Sequence, residues 1–382
     1  MFNAFNSLLT IVKKEVFGGE EGFDEQLRQD ENLIELFKTA KRFDMTPTVA
    51  FGLRDCEFVK NEKAIKYLER ERVLAVSRYE RLEHDVTELK GIFEREKLPF
   101  IMLKGAVIRK MYPNPAERTS CDVDVLVKNE DLERAVSALT AAGYDKTERG
   151  THDVGFVSPG GVSTELHFAL VNFGQDAASK VLNDPFFGAV KGGGSEYALS
   201  PETFYFYHIA HAAKHFDGGF GIKPLVDLLL IKKNVKTDEE KLSAMLEAGG
   251  LKKFEENCVK IAEAWFCGGE RNELINAMER HIERGGVYGS LENNVTVNQV
   301  RKKGKVRYFF SRMFLPYDKL KLYYPSLENR KILLPFYQVR RWFSLLFGGR
   351  VKRTVSEIQF NASVTKERRE ETEKLFSELG LL

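Results

Sequence analysis

Residues 117–127, with the sequence ERTSCDVDVLV, place two aspartates one residue apart in an otherwise apolar run. A valine-rich run of this length favours a buried β-strand, where an unpaired carboxylate is costly. Side chains at positions i and i+2 of a strand point the same way, so Asp122 and Asp124 share one face. Two carboxylates held side by side are tolerated when a divalent cation lies between them. The run therefore predicts a strand that carries a metal site.

A third acid lies further along the chain. Residues 152–170 predict a β-hairpin with its turn at 158–161, and its second strand carries Glu165. If that strand lies beside the D-x-D strand, three carboxylates converge, as in two-magnesium sites of phosphoryl transfer. The D-x-D pattern alone is common and more often marks a solvated face of an exposed strand.

Residues upstream of the aspartates favour the metal-site interpretation. Gly105 follows an apolar run and opens a short helical segment, so its backbone can approach a phosphate closely. Lys104 precedes this glycine, and Arg118 and Ser120 stand just before the aspartates, where they are placed to hold phosphate oxygens. These four residues are the predicted nucleotide-binding groups.

The pattern of apolar residues divides the chain into helical flanks and a mixed centre. From about residue 24 to 96 apolar residues recur every three or four positions, with a break expected at Pro47. Residues 61–97 predict either one long helix or a helical hairpin, and a second helical series begins after Ser200. The centre predicts, in chain order, a strand in 98–105, a short helix in 106–112, a strand in 121–127, a helix in 129–144 capped by Asn129, and the hairpin.

The segment MLKGAVIRKMYPNPAERTSCDVDVLV resembles the signature of the DNA polymerase β-like nucleotidyltransferase superfamily. It is most similar to a branch of uncharacterised bacterial nucleotidyltransferases with an LKG element, an arginine shortly before D-x-D, and a long helical C-terminal half. Residues 312–342 also resemble that branch, so the similarity extends roughly from residue 96 to 345. Two features depart from the commonest superfamily pattern: Ala106 replaces the usual hydroxyl residue, and two prolines lengthen the interval before Asp122.

The resemblance implies an α+β fold: a polymerase β-like core of mixed sheet and helices, flanked by helical regions. We expect an N-terminal helical region in 1–95, the nucleotidyltransferase core in 96–198, and a C-terminal helical region in 199–382. It further implies that Asp122, Asp124 and Glu165 bind Mg²⁺ or Mn²⁺ and carry catalysis, and that Gly105 contacts phosphate.

The implied reaction moves a nucleoside monophosphate from an NTP, such as ATP, to an acceptor hydroxyl and releases pyrophosphate. The acceptor is unknown and could be a small molecule, a protein or tRNA. Two other functions stay open: a toxin-type nucleotidyltransferase that acts on tRNA or protein, and a non-catalytic nucleotide-binding module.

The histidines allow several interpretations. His208, His211 and His215 share one helix at spacings of three and four, but the H-E-x-x-H zinc pattern is absent. This face could pack on the core with His211, Lys214 or His215 near the nucleotide, or be hydrogen-bonded within the fold. His167 could contact substrate or be structural, and Asp227, an isolated acid in an apolar helix, is expected to pair with a base.

Charge is distributed unevenly along the 382 residues. The net charge is +2, yet residues 301–353 contain fifteen Lys or Arg against two acids, Asp318 and Glu328, a local balance of +13. This segment could bind a polyanion with stacking aromatics, lie on an anionic membrane surface, meet an acidic protein or sugar acceptor, or simply keep its cations in water.

Composition fits an intracellular globular protein. Hydrophobic residues make up 43% of the chain and charged residues 30%, and no apolar run reaches the roughly 18 residues of a membrane span. The N-terminus reads as an amphipathic helix rather than a signal peptide. Four scattered cysteines without a CxxC pair favour a reducing compartment, so we expect a cytoplasmic location.

Overall fold

The chain, studied as a computed structural model, is described over residues 2–171, 177–347 and 351–382. Its strands are β1 (Phe100–Met102), β2 (Asp122–Val127), β3 (Asp145–Arg149), β4 (Asp153–Val157), β5 (Ser163–His167), β6 (Val190–Lys191) and β7 (Glu196–Ala198). Within the described ranges they form one seven-stranded sheet in the order β3-β4-β5-β2-β1-β7-β6. Pairing is mixed, since β2 is antiparallel to β1 and parallel to β5. The predicted α+β class is confirmed.

Helices precede and follow this sheet in the chain. They are α1 (Ala4–Phe17), α2 (Asp30–Arg42), α3 (Thr46–Gly52), α4 (Glu62–Arg95), α5 (Gly105–Ile108), α6 (Leu132–Ala141), α7 (Ala177–Val181), α8 (Pro201–His215), α9 (Lys223–Asn234), α10 (Glu239–Ala248), α11 (Lys252–Phe266), α12 (Glu273–Gly285), α13 (Leu291–Arg301), α14 (Lys305–Met313), α15 (Tyr317–Tyr323), α16 (Leu334–Phe347), α17 (Val351–Ser363) and α18 (Lys366–Glu378). The basic segment, which sequence periodicity left unassigned, is helical in its described parts.

Three local expectations needed deciding or correcting. The segment after Asn61 is one helix of 34 residues, capped by that side chain and free of proline. The helical series is interrupted before Pro47, as expected, but the segment that contains this proline is itself a helix: Pro47 lies in the first turn of α3, where its missing N–H has no helical partner to lose. Asn129 does not cap α6, because a 3₁₀ turn at Asn129–Asp131 intervenes and the helix begins only at Leu132.

The alternation of side chains along β2 separates its valines from its carboxylates. Val123, Val125 and Val127 pack in a cluster with the buried face of α4 and with α6. Leu126, two residues after Asp124, instead joins a second cluster that contains side chains of α8 and α9. The carboxylates therefore lie on the sheet face that the C-terminal helices cover.

The helical regions on either side of the sheet contact each other directly. Phe5 of α1 packs against Trp265 of α11, with ring centroids 5.6 Å apart, and Phe17 stacks on Phe266 at 5.1 Å. One hydrophobic cluster includes residues of all three expected regions. The boundaries at 95/96 and 198/199 fall between elements, but the division into domains stays a prediction.

A pair of carboxyl groups, one of them buried, lies between the N-terminal helix and the core. Glu117 is 3% exposed and its carboxyl group lies close to that of Glu15 on α1. Burial, followed by the charge of Glu15, raises the pKa of Glu117 to about 9. Folding therefore takes up a proton here across most of the pH range in which an unfolded glutamate is ionised.

We expect Glu117→Gln to make stability less dependent on pH. Between pH 4.3, the usual Glu pKa, and the raised pKa the native state binds one more proton than the unfolded state, so stability falls as pH rises. Glutamine keeps an N–H donor toward Glu15 without needing that proton. At pH 8 the variant should be more stable than the wild type by about 1–3 kcal/mol, and at pH 5 the two should nearly match. Urea unfolding at both pH values tests this, with exposed Glu69→Gln as control; a difference that does not change with pH would contradict it.

Candidate active site

The pairing of β2 with β5 brings two of the three predicted carboxylates together. The strands are parallel, with Asp124 directly opposite Glu165 and Asp122 opposite Ser163. Ligand atoms of Asp124, Glu165 and His167 all lie within 4.8 Å of one another. Asp124 and His167 are buried, whereas about a third of the Glu165 side chain is exposed. Of this cluster, Glu165 is the acid that an incoming molecule can reach.

Asp122 lies on the same strand face but is not part of that group of ligand atoms. Ser120 donates a hydrogen bond from its hydroxyl to Asp122 Oδ1 at 3.0 Å and lies 2.9 Å from the Asp122 carbonyl oxygen. Burial, and then the charge of Asp124, raises the pKa of Asp122. Two groups predicted for metal and phosphate binding thus contact each other here.

A lysine and a histidine both bond to Asp124. Lys104 Nζ and His167 Nε2 each lie 2.8 Å from Asp124 Oδ1, and both donate to it. Burial by itself would raise the pKa of Asp124, but the His167 hydrogen bond and the Lys104 charge outweigh it and hold the pKa well below its usual range. The same contacts raise the pKa of Lys104 and His167 against the effect of burial. The negative charge of Asp124 is therefore stabilised by contacts with Lys104 and His167.

The donor set fits a divalent metal ion. Asp124 and Glu165 offer carboxylate oxygens, which suit Mg²⁺ and Mn²⁺. His167 Nε2 is 3.3 Å from Glu165 Oε2 as well as bonded to Asp124, while its buried Nδ1 has no hydrogen-bond partner among the described residues. His167 therefore orients both carboxylates. It can reach Glu165 because the two residues are two positions apart on β5 and so lie on the same face of the strand.

The turn at Gly105 is closely surrounded by polar groups. A Cβ atom at this position would lie 2.9 Å from Ser120 Oγ, 3.1 Å from Arg118 Nη1 and 3.2 Å from Arg109 Nη2. Lys104, just before it, has φ of +39°, a strained value for a residue with a side chain. The absence of a side chain at 105 is what allows three donors to approach this turn.

Arg118 is held by an acid from the C-terminal region. Its Nε and Nη2 donate to Asp227 Oδ1 and Oδ2 of α9 at 3.0 and 2.8 Å, and the Tyr112 hydroxyl donates to Oδ1 at 2.7 Å. Both side chains of the ion pair are buried. The expected pairing of Asp227 with a base is confirmed. Because Arg118 Nε and Nη2 are bonded to this acid, Arg118 Nη1 is the nitrogen that lies nearest to Gly105.

A second arginine, Arg109, was missed by sequence reasoning. It is 1% exposed; its Nε donates to the Gly105 carbonyl oxygen at 2.8 Å, and its Nη1 is 3.8 Å from Glu83 Oε1 of α4. The only sequence feature that could have indicated its role was the presence of a basic residue within a short apolar helix. Each flanking helical region thus supplies an acid that holds an arginine against the turn.

The histidines of α8 do not form a metal site among the described residues. His208 donates from Nε2 to the Pro224 carbonyl oxygen at 2.8 Å, so it is hydrogen-bonded within the fold. The rings of His211 and His215 are 4.6 Å apart, and burial followed by the Lys104 charge lowers the pKa of His211 well below its usual value. Tyr207 of the same helix also lies close to Lys104. Helix α8 therefore covers the carboxylates with mostly neutral groups.

A mixed sheet that carries these carboxylates beside a glycine turn is the arrangement expected of a polymerase β-like nucleotidyltransferase. The chain belongs to a family of uncharacterised nucleotidyltransferases, whose sequence model matches residues 29–267. The protein is accordingly a nucleotidyltransferase, and the family assignment made from the LKG and D-x-D motifs is confirmed.

Two solved structures with local similarity are both of ANT(2″)-Ia. A solution structure of this antibiotic-resistance factor has 13% identity and a TM-score of 0.33, and the match covers 43% of this chain and 88% of the ANT(2″)-Ia chain. A crystal structure in complex with adenylyl-2″-tobramycin has 14% identity and a TM-score of 0.32, with 43% and 93% covered. No curated protein matched the sequence.

In the parts of the chain that the structure describes, no helix combines the length and apolar character needed to span a membrane.

Proposed function

We propose that the protein transfers a nucleoside monophosphate from an NTP to an acceptor hydroxyl in a reaction that depends on a divalent metal. The observation that carries this proposal is the convergence of Asp124 and Glu165 from adjacent parallel strands, with Lys104 and His167 bonded to the buried acid. Such a concentration of carboxylates is costly unless cations neutralise it. Asp122, on the same face, is the third proposed metal ligand.

In the proposed reaction the acceptor oxygen forms a bond to the α-phosphorus, and the bond to the pyrophosphate oxygen breaks. A bound Mg²⁺ or Mn²⁺ supplies positive charge to the phosphate oxygens and lowers the pKa of the acceptor hydroxyl. Glu165 takes the acceptor proton, because it is the most exposed member of the cluster. Pyrophosphate leaves with the electrons of the broken bond.

The phosphate-binding side of the site is proposed to be the Gly105 turn. Lys104 offers a side-chain donor there, Ser120 could offer its hydroxyl by giving up the bond to Asp122, and the glycine lets phosphate oxygens approach the backbone. Arg118 would use Nη1, because its Nε and Nη2 are bonded to Asp227. The missing hydroxyl at Ala106 is thus compensated by donors from neighbouring segments.

Labelled substrates test this function. The protein is incubated with each α-labelled NTP, Mg²⁺ or Mn²⁺ and a cell lysate, and label is followed into small molecules, protein and tRNA. We expect transfer that EDTA abolishes and that Glu165→Gln reduces by roughly a hundredfold or more, as for loss of a general base. Exposed Glu148→Gln on β3 should transfer at the wild-type rate.

Two outcomes would contradict the proposal. Transfer that persists in EDTA would exclude the metal-dependent mechanism. Metal-dependent binding of a non-hydrolysable NTP with no label transferred to any fraction would identify a nucleotide-binding module instead of an enzyme.

A further inference from the structure

Exposed large hydrophobic side chains are concentrated in the C-terminal basic segment. Of nineteen large hydrophobic side chains exposed among the described residues, ten lie between positions 306 and 358. They are Val306, Phe310, Phe314, Tyr323, Ile332, Phe336, Val339, Phe343, Val355 and Ile358. Scattered single residues of this kind are ordinary, but such a concentration marks an interaction surface.

On two helices these side chains form ordered faces. Val306, Phe310 and Phe314 recur at intervals of four along α14 and just past its end, so they lie on one side of that helix. On the opposite side, Tyr308 is buried against Val295 and Val364. The outward side of α14, normally polar in a globular protein, is apolar here.

Helix α16 repeats the pattern. Phe336, Val339 and Phe343, at positions i, i+3 and i+7, are exposed, while Tyr337 and Gln338 are buried. The Trp342 indole N–H donates to the Met313 carbonyl oxygen at 2.8 Å, and its ring lies 5.4 Å from that of Phe314. Because of these contacts the apolar side chains of α14 and α16 meet at Phe314. We call these two helical surfaces together the C-terminal apolar face.

Cations surround this face. Lys302, Lys303 and Arg307 are exposed beside the first stripe, and Arg340 is exposed within the second. Across residues 301–353 the sequence balance is +13, and two of these cations, Arg301 and Arg312, pair with acids outside the segment, Asp217 and Glu357. An occupant of the face must therefore accept apolar side chains and carry negative charge at the same time.

This combination selects among the candidate occupants. A second copy of the chain would bring two surfaces of the same positive charge together, which opposes association. Nucleic acid would pair with the cations and stack on phenylalanine, but valine and isoleucine, half of the ten side chains, offer no ring for stacking. An anionic bilayer takes aliphatic and aromatic side chains at the boundary of its acyl chains and pairs its phosphates with Lys and Arg.

We propose that the C-terminal apolar face binds the surface of a bilayer containing anionic phospholipid. Phe310, Phe314 and Phe343 enter the headgroup boundary, and Lys302, Lys303, Arg307 and Arg340 pair with lipid phosphates. This binding is independent of the nucleotidyl transfer proposed above, since none of these residues contacts the carboxylate cluster or the Gly105 turn.

Sedimentation of the full chain with vesicles tests the proposal. We expect binding to vesicles of equal parts phosphatidylglycerol and phosphatidylcholine, and little binding to phosphatidylcholine alone. Phe310→Ser combined with Phe343→Ser should weaken binding at least tenfold, since two apolar side chains no longer insert. The matched control, Val73→Ser with Phe187→Ser, removes two exposed apolar residues elsewhere and should bind like the wild type.

Charge is tested separately. Arg307→Glu with Arg340→Glu should weaken binding at least tenfold while leaving circular dichroism unchanged, and raising salt from about 0.1 M to about 1 M should weaken wild-type binding. Equal binding to both vesicle types, or vesicle binding unaffected by the phenylalanine pair, would overturn the proposal. Two other results would also overturn it. One is binding of tRNA that is lost in the variant with Phe310→Ser and Phe343→Ser. The other is concentration-dependent dimerisation without lipid that is lost in the same variant, because the face would then bind that partner.

Discussion

Asp124→Asn is expected to lower the rate of nucleotidyl transfer roughly a thousandfold or more, the usual range when a charge-stabilising group is removed. Asp124 is 3% exposed and lies at the centre of the site, opposite Glu165 and bonded to both Lys104 and His167. Asparagine keeps its shape but not its charge, so the affinity for a divalent ion falls. A thousandfold loss corresponds to about 4 kcal/mol of transition-state stabilisation.

The fold should survive this substitution. Lys104 is partly exposed and can turn toward water, and His167 can become neutral, so about 1–2 kcal/mol of unfolding free energy should be lost with the charge-assisted bonds. Single-turnover transfer rates and urea unfolding measure the two effects independently. Asp145→Asn, an exposed aspartate on β3, is the control. Transfer by the Asp124 variant at the wild-type rate would show that the carboxylate cluster is not the catalytic centre.

Asp227→Ala is expected to destabilise the protein by about 3–5 kcal/mol, the usual cost of removing one partner of a buried ion pair. The Arg118 guanidinium and the Tyr112 hydroxyl would both lose their acceptor in a region that is largely shielded from water. Unfolding by urea measures the loss, and Glu240→Ala on the exposed side of α10 is the control. Where the variant remains folded, its KM for NTP should rise, because Arg118 is no longer held against the Gly105 turn.

A triple variant separates these two consequences. Replacing Asp227 with leucine, Arg118 with methionine and Tyr112 with phenylalanine removes every charged or hydroxyl group of the buried set. Apolar replacements of this kind are commonly neutral or stabilising, so most of the lost stability should return. Nucleotide affinity should stay low, since the arginine itself is gone. Recovery of both properties would show that Arg118 has no role at the phosphate-binding turn.

The first strand of the candidate site could be predicted almost entirely from local sequence. The alternation of Asp122 and Asp124 with valines defines a strand with one acidic face whatever surrounds it, because side-chain direction follows from the backbone alone. The hairpin of β4 and β5 was likewise visible, since Pro159 and two glycines at its turn restrict the chain locally. The helical flanks could be predicted from apolar periodicity, whereas the exact starts of α3, near Pro47, and of α6, after Asn129, could not.

Contacts between distant segments were beyond local reasoning. Arg118 is 109 residues from Asp227, and the bond between them joins the core to a C-terminal helix. Arg109 gave almost no signal, because a buried base and an exposed one look alike until the acid at Glu83 and the carbonyl at Gly105 are brought beside it. Such pairs depend on packing geometry, which periodicity does not encode.

The sequence alone determined the fold class, the family and the strand that presents Asp122 and Asp124, because these depend on residue order and strand periodicity. Only the tertiary structure decided that β5 runs parallel to β2, so that Glu165 and His167 meet Asp124 while Asp122 is bonded to Ser120. The tertiary structure also decided that the Gly105 turn is held from both flanking regions. The physical reason is that the free energy of a buried charge depends on which distant groups surround it, and folding brings those groups together.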